Sequence, residues 1–262
     1  MADMENKIGL PTRLNDQFRL DFGEGVIFDK LSTRNFIDLA PVAEEANIDL
    51  SDEPAYFMYR NVRLQKDDST ITERGIRFDL TVIPAGKLGR EFIKTSGHYH
   101  PKKPGTAYAY PEIYYVIAGQ ATYLMQKRSG TNVVEDVILS RVKPGGVIVM
   151  PPGYGHVTIN ELAESLVMAN WVESNFVSEY ADYELLRGAA YYIENNFGLP
   201  KIILNENYAD VPEIKILKSK PLIREFNPTG PVYGYLANSD LSFLTRPEDY
   251  QSELFVDSLF EK

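Results

Sequence analysis

The sequence predicts a mainly β protein that folds as one barrel or two-sheet jelly roll. Between residues 56 and 172, short runs of alternating apolar and polar residues are separated by Gly, Pro and Asn. Alternation with a period of two is typical of half-buried strands, and many short strands at regular spacing favour a barrel or a sandwich. The 262 residues contain no internal repeat or low-complexity segment, so the pattern indicates one barrel.

Residues 1–50 are predicted to form an N-terminal extension that packs on the barrel. Residues 18–22 and 26–29 have the composition of short edge strands. Residues 33–47 have helical composition, although Pro41 weakens that prediction or marks a restart. A turn at residues 51–54 leads into the barrel.

The barrel itself is predicted over residues 51–178. Its strands are expected at 56–64, 76–83, 93–100, 112–118, 121–127, 133–142, 147–150, 156–162 and 166–172. Asp67, Asp68 and Ser69 read as a turn, so the first two strands should pair.

Residues 179–262 are predicted to be a helical and mixed C-terminal extension of the same domain. Apolar residues at helical spacing predict a helix over 179–197, which Gly198 should end. Short strands are expected at 201–204 and 213–217. Thr245 and Glu248 have the spacing of a capping box that opens a last helix. Packing or a dimer contact is the expected role.

The composition excludes several classes of function. The net charge of −10 disfavours a nucleic-acid partner, because phosphate backbones require a basic face. Cysteine is absent, so disulfides, thiolate nucleophiles and cysteine–metal sites are excluded. The first residues lack an apolar signal segment, and no apolar run approaches about 20 residues. We expect a cytoplasmic protein without a membrane partner.

All three histidines of the chain fall in two short stretches that are predicted to meet. His98 and His100 are two apart in a predicted strand, so their side chains should share a face. Glu112 opens a later strand, and His156 follows a Pro-Pro-Gly turn. Three imidazoles and a carboxylate suit Fe²⁺, Mn²⁺, Ni²⁺, Co²⁺ or Zn²⁺ and suit Ca²⁺ or Mg²⁺ poorly.

Basic residues cluster around the two neighbouring histidines, although the chain is acidic overall. The cluster comprises Lys87, Arg90, Lys94, Lys102 and Lys103, with Glu91 as its only acid. It could be a solvated face. Alternatively, it could attract an anion such as a sugar phosphate, and Lys94 is then a candidate phosphate ligand.

The motifs around these residues resemble those of the cupin superfamily. The first runs from Gly97 through the two histidines to Glu112 and, after six residues, Gly119. The second runs from Gly145 through Pro151, Gly153 and His156 to Asn160. Eleven residues separate His100 from Glu112, more than in the general motif, which implies a longer loop over the site. The resemblance implies a single double-stranded β-helix, the cupin jelly-roll barrel, with flanking helices.

The segment that leads into the first motif narrows the resemblance. Residues 86–100, GKLGREFIKTSGHYH, are similar to the corresponding segment of the cupin-type glucose-6-phosphate isomerases of archaea and some bacteria. The similarity covers roughly residues 50–190. It implies a metal-dependent enzyme of glycolysis and gluconeogenesis that interconverts glucose 6-phosphate and fructose 6-phosphate, with Fe²⁺ as the favoured metal and a homodimer as the assembly.

The resemblance also implies roles for individual residues. Glu112 and Tyr114 would act on the substrate, with Glu112 also a metal ligand. The implied substrate or phosphate contacts are Thr95, Gly97, Thr81, Tyr56 and Tyr180. Thr95 has the opposite strand parity to His98, so a bulge or twist near Gly97 is required for both to face the site. Ser178 stands where the family pattern has a histidine.

Two alternatives use the same ligands. One is a cupin dioxygenase or decarboxylase, and the other is a non-catalytic sugar-binding cupin. Within the isomerase hypothesis, Glu112 is the candidate base, but a metal-bound carboxylate is a weak one. Proton transfer by Glu112, transfer by another group and a hydride shift therefore stay open.

Overall fold

The computed structural model describes residues 4–262, and the chain is mainly β, as the sequence predicts. In chain order the strands are β1 (Thr12–Leu14), β2 (Leu20–Phe22), β3 (Val26–Ile27), β4 (Lys30–Asn35), β5 (Pro54–Arg60), β6 (Arg63–Leu64), β7 (Ile76–Ile83), β8 (Lys87–Leu88), β9 (Glu91–Phe92), β10 (Glu112–Ala118), β11 (Ala121–Arg128), β12 (Val134–Val142), β13 (Val147–Met150), β14 (Tyr154–Ile159), β15 (Leu166–Glu173), β16 (Tyr191–Asn196), β17 (Leu199–Leu204), β18 (Lys215–Ile216), β19 (Lys218–Ser219) and β20 (Phe260–Glu261).

The helices are short and lie before the first strand or in the segments that connect the strands. The α-helices are α1 (Glu5–Ile8), α2 (Asp68–Arg74), α3 (Ala181–Leu185), α4 (Tyr235–Asn238) and α5 (Val256–Leu259). The 3₁₀ helices are Ile37–Val42, Gln65–Asp67, Val232–Gly234, Ser242–Leu244 and Pro247–Glu253. Across the described residues, every helix is too short to span a lipid bilayer.

Two sheets form the body of the molecule. A six-stranded antiparallel sheet has the order β13-β10-β15-β7-β5-β4, and a four-stranded sheet has the order β14-β11-β12-β18. Glu112 on β10 and His156 on β14 approach to 3.3 Å, so the inner faces of the two sheets face each other around these side chains. This is the two-sheet, mainly β arrangement that the sequence predicts.

The predicted extensions contribute to both sheets. β4, from the predicted N-terminal extension, adds an edge strand beside β5, and β18, from the C-terminal extension, pairs in parallel with β12. The C-terminal segment also covers the outer face of the larger sheet. There Trp171 and Phe78 pack against Tyr233, and the indole Nε1 donates to Val232 O at 2.9 Å. The division at residues 50 and 178 stays a prediction, and its residues 1–3 lie outside the described part.

Two predictions for the N-terminal half are wrong. Residues 33–35 belong to β4 rather than to a helix, and only a 3₁₀ helix follows. Residues 67–69 do not form a simple turn, because α2 begins at Asp68. It ends at Arg74 and is capped by Gly75, whose φ of 65° suits a glycine. The strands that this connection joins, β5 and β7, nevertheless pair as predicted.

Two predictions for the C-terminal half are also wrong. The predicted helix over 179–197 is replaced by α3 and then by the β16–β17 hairpin, with Gly198 at its tip. Tyr183 and Ala190 are buried as expected, but Tyr183 lies on α3 and Ala190 in the connection before β16. The predicted capping box is absent from the described residues. The Thr245 hydroxyl donates to Ser242 O, and the Glu248 carboxylate binds Lys103.

Candidate active site

The segment that carries the paired histidines is not the regular strand that its sequence predicts. It makes isolated bridges instead, including His98 N to His156 O at 3.2 Å and His156 N to His98 O at 3.0 Å. Gly97 interrupts the alternation with a φ of 77°, and a Cβ there would lie 2.6 Å from Val157 Cγ2. This is the local twist that the parity of Thr95 requires, and it turns His98 towards His156.

Four side chains converge here: His98 and His100 from this segment, Glu112 from β10 and His156 from β14. His98 Nε2 lies 3.1 Å from His100 Nε2, and Glu112 Oε2 lies 3.4 Å from His100 Nε2 and 3.3 Å from His156 Nε2. One ligand atom from each of the four lies within 4.8 Å of the others. The structure therefore places all four predicted metal ligands in one cluster.

The protonation of the cluster suits a bound cation. Burial lowers the pKa of His156 and, together with its neighbouring imidazoles, holds the pKa of His98 well below its usual value. Burial opposes ionisation of Glu112, but the adjacent imidazoles of His100 and His156 outweigh it and lower the pKa of the carboxyl group. An ionised carboxylate beside His98 and His156, whose protonation burial disfavours, is the charge state that metal binding requires.

The polar atoms of the cluster also fit a metal ion. Glu112 Oε2 is buried and has no hydrogen-bond partner among the described residues. His100 Nδ1 lies 2.9 Å from Tyr110 O, to which it can donate, and this leaves the Nε2 lone pair directed at the cluster. A buried acceptor without a donor is costly in free energy unless a cation satisfies it. The residues present could thus hold a divalent transition metal.

The loop between His100 and Glu112 closes one side of the site. Tyr110, near its end, stacks on Phe176 at 5.5 Å between ring centroids, and Phe176 packs on His100 at 4.3 Å. Tyr110 therefore supports the ring that packs on His100, and its carbonyl oxygen lies 2.9 Å from His100 Nδ1, so the long loop predicted over the site has a structural role in orienting this ligand.

Most of the predicted substrate residues line a single cavity of about 50 Å³ beside the cluster. These are Tyr56, Thr81, Thr95, Gly97, Tyr114 and Tyr180. Tyr114 Oη lies 3.2 Å from His156 Nε2, and Thr95 Oγ1 accepts a hydrogen bond from Thr158 N at 3.0 Å. Ser178 lines the cavity as well.

Lys94 is the exception, and the prediction that it binds the phosphate does not agree with its position. Its side chain is buried outside the cavity lining, where the ammonium pairs with Glu91 and lies 5.1 Å from the Tyr192 ring centroid. Strand parity explains the difference, because Lys94 and Thr95 point in opposite directions.

The other cations of the basic cluster are also paired or remote. Arg90 binds Glu44 at 2.9 Å and approaches Glu194 at 3.5 Å, and Lys103 binds Glu248. Lys87 and Lys102 are exposed. The cluster does not surround the cavity, so the solvated, paired face is the better interpretation.

Sequence reasoning missed two arginines in the cavity wall, Arg60 on β5 and Arg77 on β7. Both guanidinium groups bind the buried carboxylate of Asp79. The missed signal was strand parity. Arg77 and Asp79 alternate along β7 with Thr81, a predicted site residue, and therefore share its inner face.

Comparison of the sequence with known proteins assigns the chain to a family. The sequence model of a family described as glucose-6-phosphate isomerase matches residues 33–211. The chain belongs to the glucose-6-phosphate isomerase family. The glucose-6-phosphate isomerase of Thermococcus litoralis is 30% identical over 145 residues, which cover 54% of this chain and 70% of that one. That of Pyrococcus furiosus is 27% identical over 192 residues, which cover 72% and 89%. Family membership thus spans the cavity, the four clustered ligands and the hairpin that follows.

Two solved structures that resemble part of this chain do so weakly. Oxalate decarboxylase from Bacillus subtilis is 18% identical over 47% of this chain and 27% of that chain, with a TM-score of 0.34. Oxalate oxidase in complex with glycolate is 17% identical over 50% and 46%, with a TM-score of 0.29. Neither value is high enough to support an argument about function.

Proposed function

We propose that this chain is a metal-dependent aldose–ketose isomerase that interconverts glucose 6-phosphate and fructose 6-phosphate. The observation that carries the proposal is the convergence of His98, His100, Glu112 and His156 in the wall of a cavity, in a chain of the glucose-6-phosphate isomerase family. A metal held by these residues would supply Lewis-acid polarisation of the oxygens on C1 and C2.

The remaining chemistry requires a group that moves a proton between C1 and C2. Glu112 is the only carboxylate among the described residues that line the cavity, so we assign it this role. Tyr114, two residues along the same strand, presents its hydroxyl to the same space and would orient the sugar oxygens. The surrounding apolar groups, Met58, Met168 and Phe176, would limit access of water.

A coupled assay tests the reaction and the metal together. Fructose 6-phosphate is supplied and glucose 6-phosphate is detected, first with EDTA and then after addition of Fe²⁺, Mn²⁺ or Zn²⁺. Activity that EDTA abolishes and a metal restores is the expected result. A protein that binds the sugar phosphate without turnover would instead be a sugar-binding cupin, and activity that requires O₂ would indicate a dioxygenase.

Isotope exchange separates the two routes for the hydrogen. If Glu112 transfers a proton, turnover in D₂O places deuterium on C2 of the glucose 6-phosphate formed, because the carboxylic acid exchanges with solvent. Product free of deuterium under multiple turnovers would favour a hydride shift and remove Glu112 as the base.

Three finer features complete the proposal: Fe²⁺ as the native metal, a homodimer as the assembly and the cytoplasm as the location. The ligand set of three imidazoles and one carboxylate supports Fe²⁺ but also suits its neighbours in the series. Elemental analysis of protein purified without chelator and light scattering of the eluted peak test the first two.

A further inference from the structure

The register of the six-stranded sheet places charged residues across the cavity from the metal cluster. Glu112 pairs with Val172, and Val172 pairs with Arg77, so these three residues form one row across β10, β15 and β7. In the next row, Tyr114 pairs with Asn170, and Asn170 pairs with Asp79. Since neighbouring strands lie about 4.8 Å apart, Arg77 begins about 10 Å from Glu112 on the same inner face.

Asp79 holds two guanidinium groups at this end of the cavity. Its carboxylate is fully buried and accepts hydrogen bonds from Arg60 Nη1 at 2.6 Å, Arg77 Nε at 3.0 Å and Asn61 N at 2.9 Å. Burial disfavours the charge on Arg60, but the Asp79 carboxylate outweighs it and raises the pKa of Arg60. Arg77 is fixed further by a bond of 3.1 Å from Nη1 to Ser174 O.

Both arginines line the cavity, whereas Asp79 does not. They retain side-chain exposures of 31% for Arg60 and 20% for Arg77. Each guanidinium group has five N–H donors, and the bonds above, together with that from Arg60 Nη2 to Met58 Sδ at 3.0 Å, use only some of them, so donors are left for an anion. They are also the only Lys or Arg side chains in the lining, as far as residues 4–262 describe it. Two guanidinium groups and one carboxylate leave a net positive charge there.

The two ends of the cavity therefore differ in chemistry. One end carries the imidazoles and Glu112, and the other carries two oriented guanidinium groups. Ser178 and Tyr180 also line the cavity, and the Tyr180 ring lies 5.5 Å from that of His98. A hexose 6-phosphate has the same polarity, with C1 and C2 at one end and a doubly charged phosphate at the other. Arginine forks match phosphate oxygens in geometry as well as in charge.

On the basis of the proposed function, we infer that Arg60 and Arg77, held together by Asp79, bind the phosphate of the substrate and make the site selective for phosphorylated sugars. Asp79 acts as a positioning residue that never touches the ligand.

The test compares Arg60→Gln and Arg77→Gln with Arg141→Gln. Arg141 on β12 makes an equivalent two-bond ion pair with Glu161 at 2.8 and 3.0 Å but lies outside the cavity lining. Calorimetric titration of the metal-loaded proteins with sorbitol 6-phosphate and with sorbitol gives the preference for the phosphate. Each cavity variant should lose about tenfold or more of this preference, the value expected for a charged hydrogen bond, with Arg141→Gln unchanged.

Kinetics provide a second readout. KM for fructose 6-phosphate should rise by a similar factor in both cavity variants, with kcat and metal content much less affected. If a glutamine variant fails to fold, Arg60→Lys and Arg77→Lys keep the charge for Asp79 but lose the fork, and they should show a smaller loss in the same direction.

The outcomes distinguish this inference from the proposed function. An active isomerase whose KM and phosphate preference survive both cavity substitutions would overturn the inference alone. If the wild type lacks isomerase activity, the proposed reaction is overturned. If, in that case, the wild type still prefers sorbitol 6-phosphate and the cavity variants lose this preference, the phosphate assignment stays supported. Absence of any preference in the wild type would overturn the assignment.

Discussion

At the scale of single residues, the cluster concentrates the whole histidine content of the chain in one buried place. No fourth histidine exists that could substitute as a ligand. His98 and His156 are also tied to each other through two backbone hydrogen bonds, so each imidazole is positioned by the segment that carries the other. Loss of either imidazole should therefore reduce metal binding, because it removes a ligand and not because the protein fails to fold.

Replacement of His98 or His156 by alanine should remove most of the bound metal and the activity. Each change deletes one of four ligands. Elemental analysis after dialysis measures the metal, and Glu206→Ala, at an exposed position, is the control. Full metal occupancy in both histidine variants would refute the ligand assignment.

Glu112→Gln separates ligation from catalysis. Glutamine keeps the size and one oxygen of the side chain but cannot accept the proton, so turnover should fall by about 100-fold or more. KM should change much less. The variant is assayed after saturation with metal, and its metal content is determined on the same sample. Turnover equal to that of the wild type would assign the base to another group.

At the scale of elements, the sequence predicts strands well where an apolar or alternating run is bounded by turn residues. Ile76–Ile83, Glu112–Ala118 and Val147–Met150 have the predicted bounds. The prediction fails where tertiary pairing determines the structure: residues 191–196 end a run, 179–197, that has helical spacing, yet they pair with β17 across Phe197 and Gly198. The mainly β class and the grouping of the four ligands follow from composition and motif spacing, whereas the Arg60–Asp79 pair depends on a strand register that one sequence does not reveal.

The segment before His98 shows how one backbone position sets the site. Gly97 adopts φ 77° among the side chains of Val157 and Tyr183, whereas Gly105, with φ 80°, has no described atom near its missing Cβ. Both Gly→Ala changes should incur the backbone cost of about 1–2 kcal/mol. Gly97→Ala should add overpacking of about 1–3 kcal/mol and should also displace His98.

Thermal unfolding of the two alanine variants measures this difference directly. Gly97→Ala is expected to have the lower midpoint and, at temperatures where both are folded, a reduced metal content. Equal midpoints would show that the side chains around Gly97 accommodate a methyl group without a cost in stability, so that close packing there does not fix the segment.

At the scale of the whole molecule, the question is whether the C-terminal segment and the barrel unfold together. Tyr233 bridges the two: its ring packs on Phe78 and Trp171, and its hydroxyl accepts from Leu64 N and donates to Asp67. Tyr233→Ala should lower the free energy of unfolding by about 3–5 kcal/mol. Trp171 is the only tryptophan, so its fluorescence reports this contact.

In a urea titration, fluorescence and far-UV circular dichroism should give one coincident transition for the wild type, and Tyr233→Ala should shift both signals equally. Phe255→Ala is the control, because that ring is 62% exposed on the same C-terminal segment and its loss should shift neither midpoint appreciably. If the fluorescence change of Tyr233→Ala precedes the loss of ellipticity, the C-terminal segment unfolds as a separate unit. Coincidence instead means that the burial of Trp171 beneath Val232 and Tyr233 stabilises the same sheet that carries Glu112 and Arg77, so the segment supports the active site without contributing a ligand to it.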